Sequence, residues 1–181
     1  MVSIVGLYLV FKPPPPPGTS MAEWQDHANS VCEQFYPSIE TNLSAAQMTL
    51  NRMKADRLTG KAGDFARADA LAGNIEGVAN SYRNLMGHLR DIKRPEKEGK
   101  QIEDVLDAGS DVAANMASAA RSIKARDTQG TDLALASGTT SLGIFKDKVG
   151  GLGINQCQGY KPPPAPPGLG EHSGIIRGVG A

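Results

Sequence analysis

The sequence predicts an all-α fold, an up-down-up-down four-helix bundle, on three observations. Residues 21–150 place apolar side chains at helical spacing in four blocks separated by Gly or Pro breaks. No stretch shows the period-two alternation of β-branched residues that a strand needs. Ten of the twelve prolines fall in two tracts, 13–17 and 162–167, so the helix breakers sit outside the periodic region except at Pro37 and Pro95. Four amphipathic helices with short connections bury their stripes most simply as a bundle. The chain divides accordingly into an apolar stub with a Pro-rich linker (1–20), the bundle (21–157) and a disordered Pro/Gly-rich tail (158–181).

The stub, Met1 to Phe11, is almost wholly apolar. It is shorter than the about 17–25 residues that span a bilayer, and it has neither the basic lead nor the small-residue cleavage site of a signal peptide. Pro13–Pro17 are expected to form a stiff polyproline II rod, since each ring fixes φ and removes a donor. An apolar run against a rigid spacer is the pattern found just outside a membrane anchor. The stub is therefore expected to be the outer end of a transmembrane helix that begins upstream of Met1, its rival being an N-terminus with no role. The second tract, Pro162–Pro167, precedes a glycine-rich stretch without a periodic apolar face, which reads as disordered. Either tract also fits an SH3-type module, though spacing is the more frequent use.

The first helix starts at Ser20, a candidate N-cap whose capping box is completed by Glu23. Its stripe is Trp24, Ala28, Val31, Phe35, Ile39, Ala46, Leu50 and Met53, with a kink expected near Glu33–Phe35 from Pro37, and Gly60 and Gly63 end it. The second, with Asp64 as candidate N-cap, carries Phe65, Ala68, Ala72, Ile75, Val78, Tyr82, Leu85, Leu89 and Ile92, and Arg94-Pro95 breaks it. The third aligns Ile102, Val105, Leu106, Val112, Met116, Ala119 and Ile123. Ala113, Ala114, Ala117 and Ala120 between them allow close approach, and Thr128-Gln129-Gly130 is the next break. The fourth shows Leu135, Leu142, Phe145 and Val149, closed by Gly150-Gly151.

Only two cysteines are present, Cys32 and Cys157. In this topology the start of helix one and the end of helix four share one end of the bundle. The glycine-rich segment after Gly150 can turn back over that end, so a Cys32–Cys157 disulfide is expected. A disulfide needs an oxidising compartment, and the apolar stub points outside the cytoplasm independently.

Ala28-Asn29-Ser30-Val31-Cys32 together with Gly151-Leu152-Gly153-Ile154-Asn155-Gln156-Cys157 resembles small extracytoplasmic proteins of actinobacteria, many of them lipoproteins or membrane-anchored and mostly of unknown function. In that group an Ala-Asn-x-x-Cys near the domain start pairs with a Leu-Gly-x-x-x-Cys ending across a helical bundle. The resemblance spans roughly residues 22–157. It implies fold and compartment, and no activity. The chain departs from the group in lacking a lipobox cysteine, so lipid anchoring is not implied.

Composition excludes other classes. Lys plus Arg and Asp plus Glu each number 19, a balance that leaves no basic excess for a nucleic-acid backbone and no acidic solvating tail. Of His27, His88 and His172, His27 forms an i,i+4 pair with Glu23, whereas a bundle di-iron site uses Glu-x-x-His twice with two further glutamates, and no second copy stands near His88. A zinc site from Cys32, Cys157 and His27 has three ligands but no ligand pattern. Gly151-x-Gly153 lacks the third glycine of a dinucleotide loop. The segment Gly138–Gly143 lacks the spacing and the strand of a nucleophile elbow. Asn42-Leu43-Ser44 matches a glycosylation sequon within a helix. The run Arg90–Lys100, with five basic and three acidic residues, reads as a solvated connection that would face a lipid surface if the bundle stands on one. Arg121, Lys124 and Arg126 complement the dipole at the end of helix three.

The expectation is a non-enzymatic, extracytoplasmic and membrane-tethered or secreted bundle, with no cofactor. It would bind a partner protein, envelope component or small ligand through its surface or a core cleft, with no nucleic acid among its partners. Its rivals are a secreted helical effector or secretion substrate, a cytosolic phage or structural assembly protein, and an enzyme. The first is disfavoured because Trp24-Gln25-Asp26 is not the Trp-x-Gly turn of small secreted hairpins and Tyr36-x-x-x-Glu40 sits in the wrong place for their export signal.

Overall fold

A computed structural model describes residues 19–58 and 65–159. The stub, both proline tracts, the candidate cap Asp64 and His172 lie outside the described residues. Four helices follow in order, α1 (Met21–Leu58), α2 (Phe65–Asp91), α3 (Gly99–Lys124) and α4 (Thr128–Gly151), with a 3-10 turn at Asn155–Gln158. No strand occurs among the described residues. Sequential helices pack as neighbours, α1 on α2, α2 on α3 and α3 on α4, as an up-down-up-down bundle requires.

The capping box forms. The Ser20 N–H donates to Glu23 Oε2 at 2.8 Å, and the Glu23 N–H donates to Ser20 Oγ at 3.2 Å. Ser20's donors hold the Glu23 carboxylate below its ordinary range, so the box is intact above that range and opens as acid protonates it. α1 continues through Pro37 without interruption. The pyrrolidine is exposed, and the carbonyl of Pro37 accepts from Thr41 Oγ1 at 2.8 Å. The expected break at Thr128-Gln129-Gly130 is instead the first turn of α4. Asp127 caps it by accepting the Gly130 N–H at 2.9 Å, and the reversal is made just before it, where Arg126 takes a positive φ of 61°.

The two central helices carry most of the core. α2 buries Leu71, Ile75, Val78, Tyr82, Leu85 and Leu89, and α3 buries Ile102, Val105, Leu106, Val112, Met116 and Ile123. Both present double rows at i, i+3, i+4 and i+7, the pattern of a helix with packed neighbours on two sides. α1 buries a single file, Trp24, Ala28, Cys32, Tyr36, Ile39 and Ala46, and α4 only Ala134, Gly138, Phe145 and Val149. Phe65, placed in the stripe of helix two by its spacing, is instead 71% exposed. It lies at the free start of α2, beneath the Arg126 guanidinium 5.1 Å from its ring centroid.

Gly109 sets how closely α2 and α3 approach. A Cβ there would fall 2.2 Å from Met86 Sδ, and Met86 is 1% exposed, so it has little room to withdraw. Gly109→Val is expected to destabilise the fold by about 1–3 kcal/mol through overpacking. Gly73 and Gly87 face open space, so Gly73→Ala and Gly87→Ala are each expected to stabilise by about 0.5–1 kcal/mol. Chemical denaturation of the three variants gives opposite signs if the spacing is set here.

Charged residues fasten the helix ends. Lys124 Nζ pairs with Glu76 at 2.7 Å, and Arg126 with Asp69 at 2.9 Å, both tying the end of α3 to α2. The Arg90–Lys100 run is pinned as well as solvated. Arg94 pairs with Glu103, Arg90 donates to Ser110 Oγ at 3.0 Å, and Pro95 is buried.

Candidate binding seam between the first and last helices

Two features of the fold concern function, and both involve α1 and α4. The first is the disulfide. Cys32 and Cys157 are joined, with Cα atoms 5.1 Å apart and 125 residues between them in sequence, and both are fully buried. Side chains of α1 hold the returning segment over the bundle end. Gln25 Nε2 donates to the Leu152 carbonyl at 2.6 Å, and Asn29 Oδ1 accepts the Gln156 N–H at 3.0 Å. Gly153 makes the turn with a φ of 72°. Neither Gln25 nor the role of Asn29 is evident from the sequence, although Asn29 belongs to the Ala-Asn-x-x-Cys run. Asn29→Ala is expected to cost about 1 kcal/mol and to slow reoxidation of the reduced protein, measured by the return of the oxidised band on non-reducing gels.

The second feature is the seam between α1 and α4. Among the described residues no Cα–Cα distance within 8 Å joins these two helices, whereas each other adjacent pair has such approaches. The 3-10 turn bridges them at the disulfide end. Beyond it the seam stays open. One cavity of about 330 Å³ is lined by Tyr36, Glu40, Leu43 and Ser44 of α1, by Leu142 and Lys146 of α4, and by Gln158 and Gly159. A second, also about 330 Å³, lies at the far end, with Leu50 and Met53 facing Leu135 over a floor that includes Leu71 and Ile123. Its rim carries Arg126, Asp127, Thr131 and Asp132.

Leu43 and Leu50 on α1, and Leu135 and Leu142 on α4, are each seven residues apart and half-buried against the core. A row of leucines at that spacing is what a closed seam would interlock. Here the rows are held apart, leaving an apolar trough with polar ends. Volumes of this order fall within the range of small-ligand and side-chain pockets.

The seam borders an unusual buried pair. Tyr36, 7% exposed, faces Tyr82, which is fully buried and leaves its hydroxyl without a hydrogen bond. Burial raises both phenols above their ordinary range, and the two act on each other. Phe145 packs edge-on against Tyr82 with centroids 5.5 Å apart. Both phenols therefore stay neutral, Tyr36 in the wall of the first cavity and Tyr82 in the core.

The remaining sequence-derived candidates lie elsewhere. His27 is exposed on α1, and His88 stacks on Phe35 at 4.9 Å in the α1–α2 interface. Neither lines the cavities of the seam. The Cys32, Cys157 and His27 zinc alternative fails because both sulfurs are bonded to each other. Among the described residues no group of three or more His, Cys, Asp or Glu is disposed to hold a metal. Asn42 lies mid-helix with its side chain donating to the Ser38 carbonyl at 2.9 Å. Ser141 accepts from Asn115 Nδ2 at 2.9 Å and has no His or carboxylate partner. No described helix is long and apolar enough to cross a membrane.

No family model, curated protein or solved structure matches the chain. The chemistry of the seam and the disulfide therefore carry the functional reading.

Proposed function

We propose that this chain is a non-enzymatic, extracytoplasmic binding domain, tethered at its N-terminal end, that meets a partner protein or envelope component through the α1/α4 seam. The carrying observation is the buried disulfide that closes the bundle from Cys32 to Cys157. A structural bridge over so long a loop belongs to a non-reducing environment. It also ties the segment after α4 back to the N-terminal half of α1, on the side of the expected spacer and anchor, and leaves the far pole turned outward.

The seam supports a binding role over a catalytic one. Its polar groups are Tyr36, Glu40, Ser44, Lys146 and Gln158, side chains able to hydrogen-bond a partner surface. Its apolar content, Leu43, Leu50, Leu135 and Leu142, is what a packed interface uses. The balanced charge, 19 against 19, disfavours a nucleic-acid partner.

Fractionation of the native gene product, with its start mapped and gels run with and without reductant, tests compartment and tether. The expected product is membrane-associated, and its mobility changes on reduction. A cytosolic product with free thiols sinks the reading. For the surface, a photo-crosslinking side chain at Ser44 in the seam is expected to give an adduct in cells, and one at Arg121, exposed on α3, is not. Equal labelling from both sites would remove the seam from the proposal.

A further inference from the structure

α4 is an edge helix. It packs on α3 and on the 3-10 turn, and its opposite face is turned outward. From Leu133 to Phe145 it carries no charged residue. Two of the four large apolar side chains exposed among the described residues stand there, Leu133 at 70% and Ile144 at 47%. Their spacing is close to three helical turns, so they share one flank of the outward face. Ala136, Thr139, Thr140 and Gly143 fill the rest of it, all exposed. The threonines offer methyl groups rather than free hydroxyls. Thr139 Oγ1 donates to the Leu135 carbonyl at 2.9 Å, and Thr140 Oγ1 to the Ala136 carbonyl at 3.1 Å. Asp132 and Lys146 bound the stretch at its two ends, both exposed. Neither has an ion-pair partner among the described residues.

We propose that this face pairs with the same face of a second copy, the two α4 helices running antiparallel about a two-fold axis near Thr139. The order of the residues commits the face to itself. Reversing α4 about Thr139 sets Asp132 opposite Lys146 of the second copy, Leu133 opposite Ile144, and Ala136 opposite Gly143. A two-fold axis normal to the plane of the helix pair keeps each flank on its own side. Leu133 and Ile144 occupy the flank toward α3, the side on which Ser141 and Lys148 reach Asn115 and Asp104. Asp132 and Lys146 occupy the flank toward the seam, at the rims of its two cavities. Apolar flank therefore meets apolar flank, and each acid meets a base, twice over. Gly143 on the centre line has open space where a Cβ would stand, which lets the backbones come close. Asp147, the other exposed charge of this face, falls beside the first turn of the second copy's α4, where the helix dipole favours an anion. A different partner would have to reproduce this order, whereas a second copy carries it by symmetry. A single helix pair about 20 Å long buries less than the about 1,200 Å² of stable interfaces, so the dimer is weak and reversible.

The test is sedimentation equilibrium of the oxidised full-length chain at low salt, from micromolar to millimolar concentration. Wild type is expected to pass reversibly from monomer to dimer. Ile144→Asp should weaken association at least about tenfold, while circular dichroism shows the monomer still folded, since Ile144 belongs to no part of the core. Asp132→Lys and Lys146→Asp should each weaken it about fivefold by setting like charges opposite each other. An equimolar mixture of those two variants, or both changes in one chain, should regain the wild-type affinity. Within one chain the two positions are about 21 Å apart along the helix, so only contact between copies accounts for the rescue. A monomer at every concentration overturns the proposal and assigns the face to a different occupant. A dimer indifferent to Ile144→Asp uses another surface and overturns it equally. Losses in both charge variants without rescue in the mixture overturn the antiparallel register.

Discussion

Replacing Cys32 and Cys157 together by alanine is expected to lower the melting temperature by roughly 15–20 °C. The bridge closes a loop across 125 residues of sequence separation, which in the chain-entropy argument stabilises the fold by about 5 kcal/mol. That equals the whole stability of many small domains. α1 and α4 do not approach each other directly, so the disulfide and the 3-10 turn next to it are what join them. Thermal unfolding followed by circular dichroism, with and without reductant, checks this. The reduced wild type and the double variant should agree, and a shift of only a few degrees would show that the central helices hold the edges unaided.

Phe145→Ala is expected to cost about 3–5 kcal/mol and to free α4 before the rest of the bundle. Phe145 is the only large side chain that α4 buries fully, and it packs edge-on against Tyr82 of α2 at 5.5 Å. The other buried positions of α4 are Ala134, Gly138 and Val149, which together contribute little apolar area. Hydrogen exchange should therefore accelerate across residues 128–151 ahead of α2 and α3. Leu133→Ala is the control: Leu133 is 70% exposed on the same helix, so the change should stay within about 0.5 kcal/mol. Uniform acceleration over all four helices would mean that the bundle opens as one unit.

The central helices were the most legible part of the sequence. Each of Ile102, Val105, Leu106, Val112, Met116, Ala119 and Ile123 is buried as its spacing predicts, because a helix packed on both sides expresses its whole stripe. The disulfide was legible for a topological reason, since four antiparallel helices bring the first and last ends together. The seam was not. Leu43, Leu50, Leu135 and Leu142 look like core residues from spacing alone, and the stripes read from the sequence include Leu50, Leu135 and Leu142. Whether such rows interlock depends on the distance between two helix axes, which Phe145 and the turn at Asn155–Gln158 set from elsewhere. The start of α4 was misplaced because Gln129 and Gly130 look like a breaker until Asp127 is seen to cap them. Gln25 and Asn29 carry no local signal, as their partners lie 127 residues away.

The same bridge has a mechanical consequence. Tension applied between Ser20 and Gly159 would pass along the first turns of α1 to Cys32, cross the Cys32–Cys157 bond, and leave through the two residues that follow. Residues 33–156 lie off that line of force. A domain held by its N-terminal spacer and pulled from its C-terminal side would thus lose at most the turns before Cys32, while α2, α3, α4 and the open length of the seam stay unloaded.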